Sequence, residues 1–165
     1  AATYLKMKRR SLAQALSPDP ITLINQPIED ADLSEWEGRV SFAFTSPPYF
    51  MKERYSEEPT QSFARYRTID EWRDGFLWPL LYKCFVALMP GRVCAVNIAD
   101  VKIRNRVFPL EALTVEMAQA AGFVHEHTIP LQFSNHYGKG LEDATGPETE
   151  PLFIFRKPAR REPVA

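Results

Sequence analysis

The stretch Thr45-Ser46-Pro47-Pro48-Tyr49 has residue types and spacing that could do chemistry. It follows at once on Val40-Ser41-Phe42-Ala43-Phe44, a run apolar enough to predict a strand buried on both faces. In an open parallel sheet, ligands bind beyond the carboxyl ends of the strands. Proline fixes its backbone torsion and has no N–H, so carbonyls at this corner are free of strand pairing and held in a rigid direction. Ser46 adds a side-chain acceptor and Tyr49 a flat ring. Together they form a receptor for an aromatic amine. Ser46 and the Pro47 carbonyl can accept both N–H bonds of an exocyclic amino group, while Tyr49 stacks on the ring that carries it. Bonds so placed hold the nitrogen lone pair toward an electrophile and favour the charge that develops during attack. A base inside a duplex reaches such a pocket only by flipping out, and an aromatic platform helps offset the unstacking cost of about a few kcal/mol. The plainer alternative is a Pro-Pro turn with Tyr49 as a rim aromatic.

Two basic stretches stand near the strand ends expected to carry a ligand. Tyr55, Arg65 and Arg67 belong to the polar loop over residues 50–67, where interleaved Arg and Tyr suit a surface that tracks a nucleic-acid backbone. Lys102, Arg104 and Arg106 follow another expected strand and suit phosphate contacts. Solvated connections explain either stretch equally well. His125, His127 and His136 have no Cys or acid to complete a ligand set, so no metal is expected. Cys84 and Cys94 lie in apolar segments and read as core residues of a reducing compartment.

These residues need a scaffold, and the pattern of elements supplies one. Residues 3–16 predict a helix with Leu5, Leu12 and Leu16 on one face, ended by Ser17-Pro18-Asp19-Pro20. Ile21-Thr22-Leu23-Ile24 predicts a short strand, and residues 30–36 a turn or short helix with Asp30 as its cap. Thr68-Ile69-Asp70-Glu71 has the form of a capping box. The helix after it places Ile69, Trp72, Phe76, Leu80, Cys84 and Leu88 on one face, with a kink expected at Pro79 and a stop at Pro90-Gly91. Arg92 to Ile98 predicts a buried strand, and Pro109 opens a helix that ends at Gly122. His127 to Phe133 and Leu152 to Phe155 predict strands of a hairpin. This alternation predicts one α/β domain over residues 1–165, three-layered, with a mostly parallel sheet.

Composition sets outer limits. With 165 residues, 45% hydrophobic and 25% charged, the chain can build a real core. No apolar run approaches the roughly 20 residues that span a bilayer. Lys6, Lys8, Arg9 and Arg10 are not followed by an apolar stretch, so they do not read as a secretion signal. A net charge of -1 argues weakly against a large nucleic-acid footprint, since phosphate contacts favour a basic excess.

Phe44-Thr45-Ser46-Pro47-Pro48-Tyr49 resembles catalytic motif IV of the N4-cytosine and N6-adenine DNA amino-methyltransferases. Leu88-Met89-Pro90-Gly91, Val96-Asn97-Ile98-Ala99-Asp100, Gly122-Phe123 and Glu150-Pro151-Leu152-Phe153-Ile154-Phe155-Arg156-Lys157 resemble further segments of that family, in its order. The resemblance runs from about residue 3 to residue 157. It implies a class I methyltransferase (Rossmann-like) fold and methyl transfer from S-adenosylmethionine to the exocyclic amine of a DNA base. Serine at the first motif position puts N4-cytosine a little ahead of N6-adenine. It further implies that Ser46, Pro47 and Tyr49 hold the amine and base, with Pro48 shaping the loop. Asn25, Gln26, Glu29 and Thr45 are the cofactor contacts it implies, and a bacterial or phage-encoded cytoplasmic protein of restriction-modification type is the setting. The family's Phe-x-Gly-x-Gly cofactor turn is absent from this sequence, and Tyr4 to Arg10 resembles the helix after the family's second strand. The expectation is therefore a fold incomplete at its N-terminal side, a fragment, or a cofactor loop supplied by a second chain. Two other readings stay open: an RNA or protein-glutamine methyltransferase, and an inactive subunit that binds nucleic acid or scaffolds a partner.

Overall fold

In the computed structural model, residues 22–54, 57–133 and 148–159 are described, so the helix expected over residues 3–16 lies outside them. After a 3-10 turn at Ser34–Trp36, the chain forms β1 (Val40–Thr45), α1 (Ser62–Arg65), α2 (Ile69–Trp72), a π-helical turn (Arg73–Leu77) and α3 (Trp78–Ala87). There follow β2 (Leu88–Asn97), β3 (Val101–Ile103), β4 (Arg106–Phe108), α4 (Leu110–Ala120), β5 (Val124–Phe133) and β6 (Glu148–Arg156). The main sheet runs β1-β2-β6-β5. β1 and β2 pair in parallel across the helical crossover, while β2–β6 and β6–β5 pair antiparallel. The described sheet is thus mixed, with a single parallel pair, because the last two strands form the expected hairpin.

Local signals explain most boundaries. Glu71 N–H donates to Thr68 Oγ1 (3.1 Å), and Thr68 N–H donates to the Glu71 carboxylate (3.2 Å), closing the capping box. The chain is helical throughout from Ile69 to Ala87, and its irregularity is the π turn at Arg73–Leu77, which ends just before Pro79, the residue at which the break was expected. The α3 terminus is held by Lys157, whose Nζ donates to the carbonyls of Phe85 (2.7 Å) and Leu88 (2.7 Å). Gly122 follows α4 at φ +105°, and a Cβ there would stand 2.9 Å from the Phe85 ring.

Alternation divides the sheet residues in two. Cys94, Val96, Phe153 and Phe155 are buried with Leu77, Leu81, Leu110 and Ala118 in the core. Phe42, Ala95 and Ile154 belong to the opposite set, and beside β1 that side is open: Phe42 is 54% exposed and Phe44 60%.

Three expectations are corrected. The described part of the expected first strand, Thr22 to Ile24, is not in a strand: among the described residues β1 pairs only with β2, and Ile24 is 43% exposed with no sheet neighbour. β1 is not buried on both faces: Phe42 and Phe44, on one face, stand mostly exposed. Asp30 is not a cap. Its carboxylate binds Arg65, and Asp32 accepts the Ser34 N–H instead (2.9 Å). Lys102 to Arg106 spans the tip of the β3–β4 hairpin, a solvated turn with Arg104 and Asn105 at φ +46° and +67°. Cys84 and Cys94 face each other as free thiols. Their mutual hydrogen bond and burial push the Cys94 thiol well above its ordinary range.

Candidate active site at the diproline corner

β1 ends at Thr45, paired with Val96, and delivers the next four residues beyond the carboxyl edge of the sheet. Ser46 is exposed, Pro47 buried and Pro48 half-buried. The corner is a tight one. Phe50 N–H donates to the Pro48 carbonyl (2.9 Å), and Phe50 is held at φ +48°. Positive φ is uncommon for a bulky residue and costs about 1–3 kcal/mol, so surrounding packing must impose it. That packing is the Phe50 ring against Phe108 (centroids 5.1 Å apart) and Trp72 (6.2 Å). Among the described residues no backbone N–H is bonded to the Pro47 carbonyl.

Tyr49 differs from the open ring expected of a stacking platform. It is only 5% exposed. Its phenol donates to Glu150 Oε2 at 2.7 Å, its N–H donates to Glu53 Oε2 at 3.2 Å, and Lys52 Nζ stands 5.9 Å from the ring centre. Burial, and then the Glu150 carboxylate, push the phenol pKa far above its usual value. Ser46 Oγ lies 3.5 Å from Asn97 Oδ1, and Asn97 Nδ2 donates to the Pro151 carbonyl (3.2 Å). Glu150 and Asn97 were not singled out in the sequence, because the contact Tyr49–Glu150 joins residues 101 apart.

A cavity of about 530 Å³ opens beside the corner. Its lining includes Asn25, Gln26, Glu29, Pro48, Gln61 and Ser62. Three of the four expected cofactor contacts therefore share a cavity with the diproline corner, and Thr45 stands just before it. The 27–31 segment is fixed by Lys83, whose Nζ donates to the carbonyls of Ile28, Glu29 and Ala31 at 2.9, 2.8 and 2.6 Å. Glu29 accepts from Tyr66 (2.9 Å) and pairs with Arg65 (3.0 Å). Ser62 Oγ is buried without a hydrogen-bond partner among the described residues.

The described residues among the expected nucleic-acid contacts lie on two segments. Arg65 is engaged by Asp30 (2.7 Å) and Glu29 rather than turned to a ligand. Arg67 is exposed next to the capping box, and Lys102, Arg104 and Arg106 are exposed on the β3–β4 hairpin. Tyr55 lies outside the described residues. Among the described residues no group of three His, Cys, Asp or Glu side chains is arranged for a metal, and no helix is long and apolar enough to cross a membrane.

No family model matches the sequence. It is 29% identical over 139 residues to the type II beta methyltransferase M.BslI of Bacillus sp. (strain NEB-606), an alignment covering 70% of this chain and 14% of that protein. Crystal structures of TTHA0409 from Thermus thermophilus, provisionally assigned as a DNA modification methylase, share the fold. One matches at TM-score 0.54 with 25% identity over 78% of this chain and 49% of the other. A second, complexed with S-adenosyl-L-methionine, matches at TM-score 0.55 with 23% identity over 84% and 56%. The chain thus spans about half of the solved structures and about a seventh of the curated relative.

Proposed function

Because this chain is a relative of the DNA amino-methyltransferases and carries part of their Rossmann-like fold, we propose that it holds the base-binding half of an S-adenosylmethionine-dependent DNA methyltransferase. The observation that carries this reading is the tight diproline corner at the end of β1, with Ser46 exposed, the Pro47 carbonyl bonded to no backbone N–H among the described residues, and a cavity alongside. Ser46 and the Pro47 carbonyl accept the two N–H bonds of the target amine and hold its lone pair in one direction. Pro48 fixes the loop, and Tyr49 supplies the aromatic wall against the base. The nitrogen attacks the methyl carbon in line, the carbon–sulfur bond breaks, and the proton that the methylated nitrogen sheds leaves to solvent. No strong base is needed before attack, since the nitrogen becomes acidic once methylated. N4 of cytosine is favoured over N6 of adenine by the serine at position 46.

The cavity suits the cofactor. Asn25, Gln26 and Gln61 offer amide donors and acceptors, and Ser62 Oγ is a buried polar atom awaiting a partner. S-adenosylmethionine, when bound, supplies an activated methyl group. The glycine turn typical of such sites is not among these 165 residues. The open edge of β1 is the position in the sheet where a further strand, from elsewhere in the protein or from another chain, would bring it. Lys102, Arg104 and Arg106 on the hairpin are the proposed phosphate contacts, together with Arg67 and Tyr55.

Transfer of labelled methyl groups by the intact protein to DNA, RNA and protein pools tests the reading. Label in DNA, as N4-methylcytosine, is expected. Ser46→Ala should cut turnover more than cofactor affinity, and Tyr49→Ala should abolish base binding. Label confined to RNA or to protein glutamine would redirect the substrate. One observation favours a non-enzymatic alternative, an inactive subunit: the Tyr49 ring is covered. Calorimetry with S-adenosylmethionine separates the two, since an inactive subunit gives no heat.

A further inference from the structure

Glu150 and Pro151 open the apolar stretch of β6, and both reach back to the diproline corner. The Glu150 carboxylate accepts the Tyr49 phenol at 2.7 Å. The Pro151 carbonyl accepts Asn97 Nδ2 at 3.2 Å, and Asn97 Oδ1 lies 3.5 Å from Ser46 Oγ. The first and last residues of Ser46-Pro47-Pro48-Tyr49 are therefore tied, one directly and one through Asn97, to a single dipeptide on another strand.

The direct tie is a strong one. A hydroxyl bonded to a carboxylate makes a charge-assisted contact, shorter and stronger than a neutral pair. It is also a costly way to fill space, because a carboxylate near buried surroundings loses hydration that an apolar pair would not. What an apolar pair lacks is direction. A phenol held at its oxygen cannot swing, and with Tyr49 N–H on Glu53 (3.2 Å) the residue is fixed at both ends.

From this geometry we infer that Glu150 is a positioning residue: it sets the plane of the Tyr49 ring against the target base without touching the base itself. The inference rests on the methyltransferase reading above. It predicts that loss of the carboxylate matters only through the phenol.

The test uses the intact protein with Glu150→Ala, Glu150→Gln, Tyr49→Phe and the Ala/Phe double variant. Methyl transfer to unmethylated plasmid DNA and urea unfolding are measured for each. Glu150→Ala is expected to lower kcat/KM roughly tenfold to a hundredfold. S-adenosylmethionine affinity should stay unchanged. Glu150→Gln keeps an acceptor and should recover most of the loss. In the Tyr49→Phe background, Glu150→Ala should cost less than about threefold more, since the partner is already gone. Losses that multiply in the double variant, or a Gln variant as impaired as the Ala variant, overturn the inference while the methyltransferase reading stands. Coupling in the urea cycle without coupling in kcat/KM reduces Glu150 to a structural prop and also overturns it. No methyl transfer by the unsubstituted protein sinks the parent reading, and the inference with it.

Discussion

The core side of the sheet and the open side of β1 obey opposite rules. On the first, Cys94, Val96, Phe153 and Phe155 are 0–5% exposed and lie in the cluster that also holds Trp72, Leu77 and Leu81. On the second, Phe42 and Phe44 are more than half exposed on an edge strand whose outer backbone has no sheet partner among the described residues. An apolar edge strand of this kind invites pairing. The difference separates two roles: one side packs the core beneath the diproline corner, and the other leaves an apolar edge open to pairing among the described residues.

The sharpest way to break this contrast is to truncate one residue on each side. Leu81→Ala, at 0% exposure, should lower unfolding free energy by about 2–5 kcal/mol, while Phe44→Ala should change it by no more than about 0.5 kcal/mol. Urea titration of this chain reads both. If Phe44→Ala proves as costly as Leu81→Ala in the intact protein, then that side is covered there. Gly122→Ala should cost about 1–3 kcal/mol, because it puts a Cβ at φ +105° and 2.9 Å from the Phe85 ring; a neutral result would mean that the ring yields freely. Thr68→Ala removes the cap of α2 and should cost about 1 kcal/mol by the same titration.

An alkaline limb provides a further comparison within the core side. Burial, and then the Glu29 hydrogen bond, push Tyr66 up to about 12, and Tyr49 is raised further by burial and Glu150. A raised folded-state pKa contributes stability in full below the ordinary tyrosine value of 10.0 and loses it as pH climbs through the folded value. Stability should therefore fall between pH 10 and about 12, and Tyr66→Phe should flatten that fall. An unchanged slope in the variant would place the titrating group elsewhere.

What could be read from the sequence follows from how local each signal is. The capping box at Thr68–Glu71 and the glycine stop at Gly122 are settled within a few residues, and both formed as expected. The apolar run Val40 to Phe44 was rightly a strand but wrongly placed, since hydrophobicity does not distinguish a central strand from an edge whose neighbour is absent. The Ile21 to Ile24 run had the composition of a strand, but its described part, Thr22 to Ile24, pairs with no strand among the described residues. In the candidate site, a turn after β1 was legible from its two prolines, but the positive φ of Phe50 depends on packing against Phe108 and Trp72, and the covering of Tyr49 was not foreseen. Its supports were not legible either. Glu150, Asn97 and Lys83 act across 101, 51 and 55 positions, and no periodicity encodes such contacts. Nor could the sequence show that Arg65 is neutralised by Asp30 and Glu29.

The central claim is that the diproline corner presents acceptors to a nucleobase amine. Nucleoside analysis of plasmid DNA, after incubation of the intact protein with S-adenosylmethionine, tests it most directly when run beside Ser46→Ala. A methylated exocyclic amine, N4-methylcytosine first, made by the unsubstituted protein and greatly reduced by Ser46→Ala, is the predicted result. Equal methylation by both proteins would contradict the account.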